Sequence, residues 1–135
     1  MIYPIFIFKS ESGFDGYFPD VPGCFFSGDT LEDAVKDSEA AFGAHCDVLT
    51  ERGDHVPAPA DVSAYLGDER LIEDGGFLGF VEIDPTKYES KAVKFNLTMP
   101  SNLIAAIDRF IEKNGQYKNR SAFLAELARK EIARG

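Results

Sequence analysis

A chain of 135 residues, 44% hydrophobic and 13% aromatic, has ample material for a packed core, which excludes a globally disordered protein and fits one medium domain or two small ones. The formal net charge of −9 is unevenly spread: residues 1–90 hold five Lys+Arg against 19 Asp+Glu, a formal −14, and residues 91–135 hold nine against four, a formal +5. The acidic part is repelled by phosphate and is a poor nucleic-acid binder, whereas the basic part suits that role, so the chain reads as two parts with different partners.

Ile2 to Phe8 is β-branched and aromatic on both faces, as expected of a strand buried on both sides. Ser10 to Gly13 reads as a turn, followed by short strands around Phe14–Phe18 and Cys24–Ser27, separated by the breaker PDVPG. At Thr30-Leu31-Glu32-Asp33 a hydroxyl precedes a carboxylate by three positions, an acidic variant of the capping box. Behind it Leu31, Ala34, Val35, Ser38, Ala41, Phe42, His45 and Leu49 follow helical spacing, and Gly53 is placed to end the helix. Residues 54–75 are rich in Pro, Asp and Gly and are expected to hold at most a short helix near Ser63–Leu66. Strand character resumes in GFLGFVEID, Gly76 to Asp84. These elements predict an α+β fold, a small sheet with one helix packed on one face. The domain over 1–84 is the acidic one, and residues 85–90 are read as a linker.

In 91–135 the pattern changes. Phe95, Leu97 and Met99 of KFNLTMP point one way, and Lys94, Asn96 and Thr98 the other. Leu103, Ile107, Phe110 and Ile111 then mark a helix face, Gly115 closes it, and Asn119 is placed to cap a second helix with Phe123, Leu124, Leu127, Ala128 and Ile132 on its apolar side. One strand and two short helices cannot bury enough apolar surface alone. Two copies can, if residues 93–99 of each pair antiparallel about a two-fold axis over four helices. The exposed face of that ribbon carries Lys94, Asn96 and Thr98 twice, and a two-stranded ribbon fits the DNA major groove. Lysine can donate to guanine, asparagine pairs with adenine, and threonine takes a hydrogen bond or a thymine methyl contact. Lys91, Asn119, Arg120 and Ser121 are the candidate phosphate contacts, the last three at a helix start with free amides. The alternative is a strand that joins the N-terminal sheet, with its polar face merely solvated.

The order of strand, helix, glycine, cap and helix resembles a ribbon-helix-helix DNA-binding domain over roughly residues 91–135. GYFPDVPGCFFSGDTLEDA, Gly16 to Ala34, resembles the signature of the HicB antitoxin family. Asp33 departs from it, since glutamate is more usual there. The resemblance implies a partial ribonuclease-H-like fold that binds and inhibits a HicA toxin, a small RNA-cleaving protein. It also implies a C-terminal domain that represses the operon of the pair by binding double-stranded operator DNA. An acidic domain suits the positive surface of an RNA-handling toxin, and Tyr17, Asp20 and Phe25 on the signature are the candidate toxin contacts. The expected oligomer is at least a dimer, with a tetramer if two dimers occupy adjacent half-sites.

Two rival functions are weaker. A magnesium-dependent nuclease would draw on Asp15, Asp20 and Asp33, but these form no convergent carboxylate set, and no nucleophile with a base is present. A metal- or ligand-sensing repressor would draw on Cys24, His45, Cys46 and His55. Adjacent helical positions diverge by about 100°, however, so His45 and Cys46 cannot easily share an ion. No catalytic residue, metal or cofactor is expected. No apolar run reaches the roughly 18 residues of a membrane span. Two cysteines make no disulfide framework, and the start lacks a secretory pattern, so a cytoplasmic protein with packed thiols and no membrane partner is expected.

Overall fold

The computed structural model describes residues 1–89 and 91–135, which divide into two compact units. The first runs over Met1–Glu51 and His55–Glu89, and the second takes in the chain after it together with Arg52–Asp54. Ser90, the last residue of the expected linker, lies outside the described residues.

In the first unit, β1 (Ile2–Lys9), β2 (Phe14–Tyr17), β3 (Phe25–Gly28) and β4 (Phe77–Glu82) form an antiparallel sheet in the order β3-β2-β1-β4. The longest strand is central, and Tyr3, Pro4, Ile5, Phe6 and Ile7 are all buried, as its two-sided apolar composition requires. Tyr3, Ile5 and Ile7 join Phe18, Phe26, Phe42, Cys46, Val81 and Ile83 in one core. The phenyl ring of Phe42 lies 4.8 Å from that of Tyr3 and 5.5 Å from that of Phe18.

A proline in a central strand requires explanation, and the register supplies it. The Ile83 amide donates to the Met1 carbonyl and the Met1 ammonium to the Ile83 carbonyl, each at 2.9 Å, so Met1 and Ile83 form a hydrogen-bonded pair. Antiparallel pairs alternate between bonded and non-bonded. Pro4, opposite Phe80, therefore occupies a non-bonded position where β4 asks for no N–H. On its other side β2 has already ended, since it pairs only with Phe6 to Lys9.

The helix α1 (Leu31–Glu51) begins as the capping pattern foretells, with Thr30 Oγ1 accepting from the Asp33 amide at 3.1 Å. It buries Ala34, Ser38, Phe42 and Cys46, which recur every fourth residue. Gly28 ends β3 directly against the helix start; a Cβ there would stand 2.3 Å from the Ala34 nitrogen and 2.6 Å from the Asp33 carbonyl carbon.

Residues 54–75 hold more structure than expected. A 3-10 turn at Val62–Tyr65 is followed by a second helix, α2 (Glu69–Asp74), which the sequence reading omits. Asp68 caps it through the Arg70 amide, and Gly75 ends it in the left-handed conformation at φ 66°. Six residues are too few for periodicity to register, and the caps are the only local signal. The segment covers the sheet face opposite α1, where the Tyr65 ring meets the edge of Phe6 at 5.3 Å and the Arg70 guanidinium lies 4.9 Å from the centre of the Phe6 ring. Residues 85–88, expected in the linker, pack on the first unit: Pro85 is buried and Tyr88 meets Phe42 at 5.6 Å.

The second unit contains α3 (Ser101–Asn114) and α4 (Arg120–Arg134). Gly115 ends α3 at φ 61°, and Asn119 Oδ1 accepts from the Ala122 amide at 2.9 Å to cap α4. Phe123 packs against Phe110 at 5.4 Å and Tyr117 at 5.2 Å. Residues 91–100 form neither strand nor helix in the single chain, and they do not enter the N-terminal sheet. No helix among the described residues is long and apolar enough to cross a membrane.

Candidate functional site

Each unit carries its own set of candidate residues. In the first, β2 and β3 pair Tyr17 with Phe25, and β1 pairs Phe6 with Tyr17, so the three rings share the outer sheet face. Tyr17 is half-buried, stacked on Phe8 at 5.9 Å and meeting Phe6 edge-on at 5.4 Å. Phe25 is 69% exposed at the end of this row. Tyr17 thus packs within the outer face, and Phe25 is the most open of the rings in this row.

Asp20 is already engaged. Its carboxylate accepts from the Ala60 amide at 3.0 Å and from the Tyr65 hydroxyl, which clasps the 57–66 segment over the sheet. Burial, then the hydrogen bond to Asp20, pushes the Tyr65 hydroxyl up to about 12. The Tyr3 hydroxyl ties down the same segment by donating to the Pro57 carbonyl at 2.8 Å. Arg70 is held over the Phe6 ring and by a two-point pairing with Asp68 at 2.9 and 3.0 Å.

Apolar side chains also lie open on β4 and on the segment that covers the outer sheet face. Phe80 on β4 is 63% exposed, and Leu66 and Ile72 on the covering segment are exposed as well. Sequence reasoning singles out none of the three as a contact: Leu66 ends the short helix expected at Ser63–Leu66, and Ile72 lies on α2, which that reading omits.

Cys24 and Cys46 are both buried free thiols in the core, and burial pushes each up to about 11, which favours packing over reactivity. Among the described residues no group of three or more His, Cys, Asp or Glu side chains is placed to hold a metal ion.

In the second unit Lys91, Lys94, Asn96 and Thr98 are all exposed. So are the apolar residues between them: Val93 is 82% and Phe95 80% exposed, and Leu97 is open too. Leu103, Phe110, Leu127 and Ile132 are likewise exposed, and among the described residues of the two helices only Ile107 is buried. The second unit by itself therefore leaves most of its apolar side chains in water, as its small size dictates.

At the start of α4, Asn119 is occupied as the cap and Ser121 is exposed. Arg120 is not free. Its guanidinium grips Asp108 of α3 through two hydrogen bonds of 2.8 and 2.7 Å, and the pairing holds the Asp108 carboxyl below the usual carboxylate range. Asp108, Lys118, Asn119, Arg120 and Ser121 line one shallow depression. Asp108 escaped the sequence reading because nothing in the spacing of 108 and 120 foretells how two helices joined by a five-residue turn will face each other.

The comparisons with known proteins agree with this architecture. A family model described as the HicB-like antitoxin of bacterial toxin-antitoxin systems matches residues 3–128. The crystal structure of the antitoxin HicB3 is 62% identical and covers 98% of both chains, with a TM-score of 0.61. A chain of the HicA3 and HicB3 toxin-antitoxin complex is 57% identical, covering 63% of this chain and 100% of its own length, with a TM-score of 0.60. An uncharacterized 14.9 kDa protein from the rep-hol intergenic region of Haemophilus phage HP1 (strain HP1c1) is 37% identical over 128 residues, 95% of each chain. With the four-stranded sheet, its packed helix and the matched span all in accord, the chain belongs to the HicB-like antitoxin family.

Proposed function

We propose that this chain neutralises an RNA-cleaving toxin of the HicA type through its first unit and represses transcription of its own operon through its second. The observation that carries the first half is the 57% identity to a chain of a toxin-antitoxin complex. That chain covers 63% of the present one, about the share taken by the first unit. The formal −14 on residues 1–90 supports the same assignment, since an RNA-handling toxin presents positive charge. In this reading the first unit is a partial ribonuclease-H-like layer used for binding and not for catalysis. Co-expression with a HicA-type toxin tests it: growth is rescued by residues 1–89 as well as by the full chain. Rescue by neither refutes the antitoxin role.

The second half rests on the open apolar residues of 93–132. We infer a ribbon-helix-helix dimer in which residues 93–99 of two copies pair and bury Phe95, Leu97 and Met99 against four helices. The opposite side then presents Lys94, Asn96 and Thr98 to base edges, with Lys91, Asn119 and Ser121 at phosphates. Arg120 reaches phosphate only by sharing its guanidinium with Asp108 or leaving it. Asn96→Ala weakens operator binding by about 1–3 kcal/mol and alters base preference. Arg120→Ala weakens it evenly across sequences and lowers the salt slope by about one. Operator binding by Asn96→Ala equal to wild type overturns the base-reading assignment.

A further inference from the structure

We propose that the toxin is held by strand addition at the β4 edge, so that a strand of a positively charged partner becomes the fifth strand of the sheet. The inference rests on the antitoxin reading and adds to it the surface and the mode of binding.

The two sheet edges differ. At the β3 edge the Ser27 amide donates to Asp37 of α1 at 2.9 Å, and Gly28 lies against the helix start, so that edge is occupied by the protein itself. At β4 the alternation that exempts Pro4 has a second effect. Met1 and Ile83 form a bonded pair, so Tyr3–Val81, Ile5–Gly79 and Ile7–Phe77 are bonded pairs too. Leu78, Phe80 and Glu82 therefore direct their N–H and C=O groups away from β1, toward the open edge. Three residues in register make a ready ladder for an incoming strand.

The devices that normally blunt an edge are missing here. β4 has neither proline nor lysine, its one charged side chain is Glu82, and Phe80 stands 63% exposed in the middle. The surroundings select the partner by charge. Glu69, Glu73 and Asp74 on α2, which packs on β4, and Glu82 on β4 itself are exposed. Arg70 is already bound to Asp68, and Asp84, the cap of residues 85–87, lies by Lys87 and the Met1 ammonium. Two copies of this unit would bring two such acidic sets together, whereas a basic protein is attracted to one.

Phe80→Pro is the decisive variant. It removes an outward N–H that no bond of the fold uses, so the β1–β4 ladder stays intact while a fifth strand loses its central rung. The probe is HicA3, the toxin of the complex whose chain is 57% identical to this one. The expected results are a tenfold or greater loss of affinity for HicA3 with unchanged circular dichroism, and slowed exchange of the Leu78, Phe80 and Glu82 amides when wild type binds. Affinity within twofold of wild type together with unslowed amides overturns the edge proposal and leaves the antitoxin reading standing. A wild-type chain that fails to bind HicA3 or any other HicA-type toxin overturns both. Amides already slow in the free protein in a concentration-dependent way assign the edge to a second copy, which also overturns the proposal. The exchange measurement needs no variant, so it decides the question even if Phe80→Pro does not fold.

Discussion

Replacing Asp20 separates a clasp from a contact. In the structure its carboxylate accepts from the Ala60 amide and the Tyr65 hydroxyl and so fastens residues 57–66 to the sheet. Hydrogen bonds to a charged group contribute about 1.5–3 kcal/mol each when sheltered. Asp20 is only half-buried, so water recovers part of each bond, and about 2 kcal/mol for the pair is a reasonable sum. By the relation of 1.4 kcal/mol per tenfold, that corresponds to about a 30-fold increase in opening of the clasped segment. The assay is native-state hydrogen exchange of the Asp20→Ala chain, read at the Ala64 and Leu66 amides. These bond to Asp61 and Ser63 within the segment, at 2.9 and 3.2 Å, and touch Asp20 by no bond of their own. Their exchange should quicken by about 10–30-fold while amides of the central strand change little. Asp20→Asn, which keeps one acceptor, should fall between. Unchanged exchange at Ala64 and Leu66 refutes the clasp and returns Asp20 to the role of a surface contact.

Phe42→Ala removes a fully buried ring that touches Tyr3, Phe18 and Tyr88, and should destabilise the first unit by about 3–5 kcal/mol in a urea titration followed by tyrosine fluorescence. A loss under about 1 kcal/mol would mean the core closes over the cavity. Gly28→Ala drives a Cβ into the backbone of Asp33 and Ala34, so β3 and α1 must part; about 1–3 kcal/mol is expected from the same titration, and none if the strand end shifts freely. Tyr65 has a hydroxyl raised to about 12 from the ordinary 10, so its deprotonated form is disfavoured in the folded state. The stability it contributes is complete below pH 10 and is lost as pH rises toward 12. Burial raises the Tyr3 hydroxyl as well, so absorbance at alkaline pH should show one late-titrating tyrosine fewer in Tyr65→Phe than in wild type.

The features that could be read from the sequence were those set by local pattern. The capping pattern at Thr30 and the four-residue recurrence of Ala34, Ser38, Phe42 and Cys46 locate α1 because helix periodicity and caps are properties of adjacent residues. The apolar run of β1 likewise announced burial on both faces. What covered the second face was not legible: α2 is six residues long, and its hold on the sheet depends on Arg70 meeting Phe6, a contact spanning 64 positions of sequence. Candidate sites divide the same way. Lys94, Asn96 and Thr98 are assigned from simple alternation, but in the single chain residues 91–100 form no strand. Phe95 and Leu97 are as open as the three polar residues, so the facing of this stretch is set by what pairs with it. Asp20 carried no sign of its partners, because Ala60 and Tyr65 come to it only when the intervening chain has folded. Arg120 looked like a free cation for the same reason, its acceptor Asp108 lying on the preceding helix.

Pro4 also guards against an inside-out sheet. Facing direction and bonding direction both alternate along a strand, so they are coupled. Were β1 seated with Pro4, Phe6 and Phe8 toward α1, Pro4 would present its ring nitrogen to β4 at a rung that demands a donor. A strand apolar on both sides has little in its side chains to choose between the two seatings. The missing hydrogen supplies the choice, and it does so with an atom that the native arrangement never needs.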